Sequence, residues 1–405
     1  MMQTAQTIQD IIEKVATFTN DDAPKITRLV YQESWVQAQD YLLTLGQSLG
    51  MNVAIDEMGN GILTVKGTEE GAVTLGSHLD SVVDAGKYDG VYGIAAAIIA
   101  VKELVDSYGT PKQDMQILLF SEEEGSRFPM NFSGSRFIID DLPEMEQLKD
   151  GDGAFFMAER KKALDVLKAK FPVGQAQQPI SFAEIHIEQG PVLERKNKQI
   201  GLVTGIVAQK KFTVTVNGEA NHAGTTPMSM RKDTLKQALQ LIGYLEEVAQ
   251  TIGEPFVYTV GEMKVSPNVT NVVPRQAVFS IDIRHLDAHQ LDVFEEKMHA
   301  YIQKKEAQTG MTMSVERWLN EPSERMDTEF LTLLETICKE KKLTYEKMPS
   351  GAGHDTQIMN LVTRTALLFV PSHNGISHSP YEYTASEDLE NGKEVLKELI
   401  HRLAY

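Results

Sequence analysis

Cysteine is nearly missing: Cys338 is the single one in 405 residues. One thiol excludes an internal disulfide and any metal site built from a cysteine cluster. Cys338 falls in a helical pattern with Phe330, Leu333, Leu334 and Ile337, so it reads as a buried structural thiol. Basic charge is short as well, with 39 Lys+Arg against 57 Asp+Glu and a net charge of −18. That balance argues against nucleic acid and anionic membrane surfaces as partners. It does not argue against a small anionic substrate, because the local field of a site can oppose the net charge. No apolar run approaches the ~18 uninterrupted residues of a membrane span. The opening stretch, MMQTAQTIQDIIEK, is acidic and amphipathic and lacks a basic region ahead of an apolar core, unlike a secretory signal. Repeats, low-complexity tracts and long linkers are missing too. The expectation from these absences is a cytoplasmic, soluble protein.

What is present supports a large folded core. Apolar residues make up 42% and charged residues 24%, ordinary for a globular protein, and the length suggests two or three domains. Helices are expected over 5–20 and 34–49. Residues 51–65 read as two strands joined at Gly59-Asn60-Gly61, a hairpin-type turn signal. A strand ending at His78, a small-residue helix from Ile94 to Val105, the apolar run Met115 to Phe120 and the strand Phe182 to Ile187 follow. Strands alternating with helices point to an α/β fold, with a mixed, largely parallel sheet flanked by helices. The pattern changes near residue 208. Lys211 to Val216 alternates as a half-exposed antiparallel strand would, and the order β-α-β-β-α-β up to Trp318 resembles a split βαβ, ferredoxin-like α+β domain. After it the helix–strand alternation resumes. The expected organisation is one domain of 1–207 plus 321–405, with a second, 208–320, inserted into it.

Five clusters carry candidate chemistry. The apolar strand over 72–78 ends in Ser77-His78-Leu79-Asp80, and a Gly-rich turn then delivers Asp89 before Gly90. Ligands collect outside the carboxyl ends of such strands, and Asp80 is placed to hold the second ring nitrogen of a ligating His78. Glu122-Glu123-Glu124 directly follows the next strand. Three adjacent acids are also an ordinary helix start; at the end of a buried strand, one acid could ligate metal and its neighbour transfer protons. His186 lies at the end of FAEIHI, where a lone histidine is more often a satisfied core residue. Gly351 to Asp355 (GAGHD) forms a Gly-rich loop where backbone can approach a ligand. Pro371 to Pro380 (PSHNGISHSP) again follows a strand. Together, imidazoles and carboxylates recur just past strand ends. Such donors suit Zn and, with more oxygen, Mn. A carboxylate shared by ions about 3.5–4 Å apart is one way to build a two-metal hydrolytic site.

The motifs GSHLDSV, DGVYG, EEEGSRF, HIEQG, GEANHAGTTPM, NVVP, DIRH, SGAGHD and FVPSHNGISHSPYE occur here in a family's order. Over nearly the whole chain, from TRLVYQESW at 27–35 to HSPYEYT at 378–384, the sequence resembles the dinuclear-metal aminoacylase/carboxypeptidase superfamily. Within it, the sequence is similar to the branch of allantoate amidohydrolases and N-carbamoyl-L-amino acid hydrolases. The resemblance implies a metal-dependent exopeptidase-like fold, with the inserted domain as lid and dimerisation element. It implies that Asp89 bridges two divalent ions (Mn or Zn), that His78 and His186 complete one site, and that Glu124 and His378 complete the other. Peptidase relatives typically carry a carboxylate at the position of His186, which points to the ureido-hydrolysing branch. Glu123 is implied as general base, Asp80 as the partner of His78, and His222 as the oxyanion stabiliser, commonly reaching the partner subunit's site in a homodimer. Arg284 is the candidate bidentate clamp on a substrate carboxylate; its alternative is an ion pair with Asp282 or Asp287. Asn271, Gln209 and Gly353 are further candidate substrate contacts. His354 and Asp355 read as site-shaping, and His373 has no evident role. The implied substrate is a small carboxylated ureido compound. Allantoate is favoured by EEEGSRFPMNFSGS, NVVP and Arg284-His285 with Asp287, and an N-carbamoyl-L-amino acid is the alternative. A non-catalytic ligand-binding relative would show loss of base or bridge, yet Glu123 and Asp89 are both present. Ala208, Lys210-Lys211 and Thr356 depart from the family's common Gly, two Arg and Ala. The first of these sit near the expected substrate side of the inserted domain.

Overall fold

The computed structural model describes residues 7–22 and 24–405. The chain divides into two compact units, Met1–Thr204 with Met326–Tyr405, and Gly205–Arg325. The first described helix is Ile8–Ala16, opened by a reciprocal Thr7/Asp10 cap; residues 5 and 6 of the helix expected there lie outside the described residues. Strands β1 (Asn52–Ile55) and β2 (Gly61–Val65) form an antiparallel hairpin. The turn lies one step earlier than the GNG signal suggests, because Asp56 closes it, accepting from the amides of Met58, Gly59 and Asn60 at 2.9 Å each. Next come β3 (Ala72–His78), β4 (Asp114–Phe120), β5 (Pro179–Ile187) and β6 (Ile200–Ile206). β3 and β4 are buried at every position, as strands covered on both faces should be. Between them runs the helix Val91–Tyr108, three residues longer at each end than its small-residue pattern suggests.

The second unit holds β7 (Ala208–Asn217), β8 (Asn221–His222), β9 (Val257–Thr259), β10 (Met263–Ser266), β11 (Val272–Val273), β12 (Gln276–His285), β13 (Thr312–Glu321) and β14 (Glu324–Arg325). Its sheet runs β10-β12-β7-β13, antiparallel throughout. β7 and β12 alternate buried with half-buried residues. Their inward side chains, among them Phe212, Val214, Phe279 and Ile281, form one core with Leu241, Leu245, Phe294 and Met298 of the helices Thr234–Ile252 and Ala288–Thr309. The stretch after the helix Thr234–Ile252 carries two short strands, β9 and β10, both paired with β12. The register against β12 slips by one between Thr259↔Asp282 and Met263↔Phe279, leaving a bulge around Gly261. β8 and β11 form a short ribbon with His222 opposite Val272.

The chain closes the first unit with β15 (Tyr345–Ser350) and β16 (Thr365–Val370). The large sheet has the order β1-β2-β4-β3-β5-β16-β6-β14, with β15 also on β6. Its four central strands, β4, β3, β5 and β16, are parallel. Their carboxyl ends therefore lie along one edge, and the segments leaving them contain most of the candidate ligands. Helices Val91–Tyr108 and Ser386–Ala404 contribute to the main core. Cys338 is buried in it, and burial pushes its thiol up to about 12. Among the described residues, no helix is long and apolar enough to cross a membrane.

Candidate metal centre

β3 delivers His78 at its last residue, where the chain bends away. The ring Nδ1 of His78 lies 3.0 Å from the main-chain carbonyl of Asp80. The Asp80 carboxylate, which the two-residue spacing places as the ring's partner, stands at 3.9 Å. It accepts instead from the amides of Glu123 and Glu124, at 3.1 Å each. Asp80 thus ties the end of β3 to the segment after β4. That segment is no helix start: Glu122 takes a left-handed φ of 51°, and its carboxylate turns back to accept from the Phe128 amide at 3.0 Å. Glu123 is buried, and the side chain of Glu124 is only 8% exposed.

Asp89 sits at the centre. Its Oδ1 lies 3.2 Å from His78 Nε2 and 3.1 Å from His186 Nε2. Its Oδ2 lies 3.3 Å from His378 Nε2, which is 3.5 Å from Glu124 Oε1. Glu123 Oε2 is 4.0 Å from His78 Nε2. The donor atoms of His78, Asp89 and His186 fall within 4.8 Å of one another, as do those of Asp89, Glu124 and His378, and of His78, Glu123 and Glu124. The first two sets share only Asp89. The turn that presents Asp89 depends on Gly90, at φ +66°, where a Cβ would lie 2.5 Å from the His78 carbonyl.

Proton accounting shows what these residues suit. His78 and His186 each face a carbonyl with Nδ1, that of Asp80 at 3.0 Å and that of Ile187 at 2.9 Å. A carbonyl only accepts, so each Nδ1 carries hydrogen and each neutral ring has a bare lone pair on Nε2. The Gly90 amide donates to that lone pair of His186 at 3.1 Å. Both Nε2 atoms also confront Asp89 Oδ1, at 3.2 and 3.1 Å, an arrangement that calls for positive charge between them, a metal ion or a proton. The Oε1 of Glu124 is likewise buried without a hydrogen-bond partner. Three imidazoles and two or three carboxylates are a donor set suited to divalent Zn or Mn, so the residues fit a dinuclear site. The electrostatics carry the same demand for positive charge: burial lowers His78 and His186, but the acids facing them raise both above the ordinary histidine value. Burial pushes the Asp89 carboxyl up, but His186, His378 and His78 hold it well below its usual range. Burial pushes Glu123 well up and, with Asp89, raises Glu124 to about 7. The hydrogen bond to Asp89 lifts His378 to about 9 against its own burial.

Three residues that spacing arguments missed also reach the cluster. Gln189 donates to Asp89 Oδ2 at 2.8 Å, Ser377 Oγ lies 3.2 Å from the same oxygen, and Glu382 accepts from the Asp89 amide at 3.1 Å. They stand in the HIEQG and FVPSHNGISHSPYE motifs, but no residue-type pattern marks them. Gly353 lies in the bend after β15, followed by His354, whose buried ring meets His186 edge-on at 4.7 Å. Asp355 accepts from Ser135 at 2.6 Å. Thr356 donates its hydroxyl to the buried Glu184 at 2.6 Å, and Ser77 donates to the same carboxylate at 2.8 Å. His373 bonds Glu194 at 2.7 Å.

The other candidates belong to the second unit. His222 is exposed on β8, and its Nδ1 accepts from the Gly224 amide at 3.1 Å. With Nδ1 accepting, the ring carries its hydrogen on Nε2. The carbonyl of exposed Asn271 accepts from the Ala223 amide at 2.9 Å, beside His222. Arg284 forks onto Asp282 at 3.1 and 2.9 Å, the ion pair that its sequence context offered as the alternative. Gln209, its register partner on β7, donates to Asp282 at 2.9 Å. Lys210 is buried against Asp292 and Glu295 at 2.6 Å each.

A largely parallel sheet with an α+β insertion and a His/carboxylate cluster at its strand ends defines a metal-dependent hydrolase. The family described as peptidase family M20/M25/M40 matches residues 74–402, and the chain belongs to it. Over 99% of its length and 98% of the relative's, it is 36% identical to the allantoate amidohydrolase of Escherichia coli (strain K12). It is 30% identical to the N-carbamoyl-L-amino-acid amidohydrolase of Paenarthrobacter aurescens, covering 98% of both chains. A crystal structure of an amidase of the hydantoinase/carbamoylase family from Burkholderia multivorans matches with a TM-score of 0.91 at 26% identity, covering 97% of this chain and 96% of that one. The protein is thus a hydrolytic enzyme, an amidohydrolase by its relatives.

Proposed function

We propose that this enzyme hydrolyses the terminal ureido C–N bond of allantoate, giving ureidoglycine, ammonia and carbon dioxide. The observation that carries the metal chemistry is Asp89, shared between a His78/His186 set and a Glu124/His378 set with Glu123 alongside. The allantoate amidohydrolase relative supports the substrate. These five residues would hold two divalent ions, which would supply Lewis acidity and make water more acidic near neutral pH. Glu123 takes the proton of the attacking water and delivers it to the departing ammonia. The carbamate left behind then loses carbon dioxide. Asp80 keeps Glu123 and Glu124 in register with His78. We assign His222 to the developing oxyanion and Arg284 to the substrate carboxylate, exchanging Asp282 for it. Asn271, Gln209 and Gly353 contribute polar contacts. The second unit serves as lid and as the surface through which two copies pair.

The same residues serve an N-carbamoyl-L-amino acid, and the Paenarthrobacter relative favours that second reading. Ammonia release by metal-reconstituted protein, measured side by side on allantoate and on N-carbamoyl-L-amino acids, separates the two. Preference for allantoate supports the proposal. Preference for a carbamoyl amino acid keeps the mechanism and replaces the substrate. No ammonia from either, with metal bound, overturns both.

A further inference from the structure

We propose that Glu382 is a positioning residue of the metal centre, holding the shared carboxylate of Asp89 and the His378 loop in one register. The inference rests on the reading of the cluster as a metal site. Glu382 is 5% exposed. Its Oε1 accepts from the amides of Tyr88 and Asp89 at 2.8 and 3.1 Å. Its Oε2 accepts from Ser377 Oγ at 3.0 Å, and that hydroxyl stands 3.2 Å from Asp89 Oδ2. Asp89 is therefore gripped twice, directly at its backbone and at its outer oxygen through Ser377. The serine has one hydrogen for two carboxylates, so the two acceptors share it. Burying a carboxylate is costly unless donors replace its water, and three donors meet this one.

Two further observations show how tightly the contact is set. A Cβ on Gly86 would lie 2.4 Å from Glu382 Cβ and 2.5 Å from its Oε1, so residue 86 leaves room for this side chain alone. His378, four residues before Glu382, sits at φ 51°, a left-handed conformation that a histidine holds only when its surroundings impose it. Glu382 closes the turn that follows His378, its own amide donating to the Ser379 carbonyl at 3.0 Å.

The test is calorimetric titration of metal-stripped protein with Mn and with Zn, alongside thermal melting without metal to confirm the fold. Glu382→Ala is expected to weaken the lower-affinity ion by about 10–100-fold, the usual effect of losing a ligand's supporting partner. Glu382→Gln keeps a carbonyl for both amides and turns its NH2 on Ser377, whose hydrogen then goes to Asp89. It is expected to restore affinity to within a few-fold of wild type. A folded Glu382→Ala protein with wild-type affinities overturns the inference, as does a Gln variant that loses as much as the Ala variant. Should the Ala variant not fold, Ser377→Ala decides: weaker binding of one ion supports the inference and unchanged binding overturns it. Wild-type protein that takes up no ion overturns the metal reading itself, so the two failures are distinguishable.

Discussion

In the first unit His78, Asp89, Glu123 and His186 are buried, whereas His222 and Asn271 on the second unit are exposed and Arg284 is half-buried. The buried group is held by main-chain atoms: carbonyls of Asp80 and Ile187 orient two rings, and amides bind Asp80 and Glu382. The second group has partners that can be exchanged. Arg284 lies on Asp282, and His222 keeps one ring nitrogen clear of its Gly224 contact. Chemistry that needs fixed atoms is built where backbone donors and acceptors converge, since preorganisation there costs nothing at the moment of reaction. On the proposed reading, recognition falls to a half-solvated sheet, where a ligand can displace water and an internal ion pair. The residues should therefore separate under mutation: those of the first unit act on turnover, Arg284 of the second acts on substrate binding, and His222, although exposed, acts on turnover through the oxyanion.

The largest effect is expected at the base. Glu123→Gln should retain both ions and lower kcat by roughly 10²–10⁴-fold; steady-state ammonia release with metal analysis checks this, and persistent turnover would remove Glu123 from the role. His222→Ala comes next. It should lower kcat by about 10²–10³-fold, as loss of an oxyanion donor does, with metal affinity unchanged. A change confined to KM would move His222 from the chemistry to recognition. Arg284→Lys sharpens the contrast from the other side. Lysine lacks the planar fork, so KM for a carboxylated substrate should rise roughly tenfold, the scale of a charge-assisted hydrogen bond, while kcat moves less. Equal losses in both constants would contradict the separation.

The smallest effect concerns stability, away from both groups. Burial pushes the Glu394 carboxyl up, but Lys393, Lys397 and Lys341 hold it down at about 2, below its ordinary 4.5. The folded state thus binds fewer protons than the unfolded chain in that window. The stabilisation is complete above about 4.5 and is lost as pH falls toward 2. Glu394→Gln should lower Tm slightly at neutral pH and flatten its fall across that window. An unchanged pH profile would show that the lysine cluster contributes nothing.

Much of this was legible from residue order, for reasons that differ by region. Continuous apolar runs mark β3, β4 and β16 because these strands are covered on both faces, and ligand-type residues just beyond them mark the reactive edge. Strict alternation marks β7 and β12 because one face of that sheet is open. What spacing could not reveal depends on where a strand stops. β3 ends at His78, so Asp80 turns its carbonyl, not its carboxylate, to the ring. The Glu122 backbone is left-handed, so the three acids turn inward and begin no helix. Glu382 and Gln189 escaped because their role is to bind amides and another carboxylate, which no side-chain pattern encodes. For Arg284, sequence offered both a clamp and an ion pair, and the fork on Asp282 is the pair.

The most direct test of the central claim is anomalous diffraction from crystals grown with Mn or Zn. The lone-pair geometry around Asp89 leads to two peaks, one beside His78 and His186 and one beside Glu124 and His378, with Asp89 contacting both. A single peak would contradict the shared-carboxylate centre, and no peak at saturating metal would contradict the account of how this enzyme works.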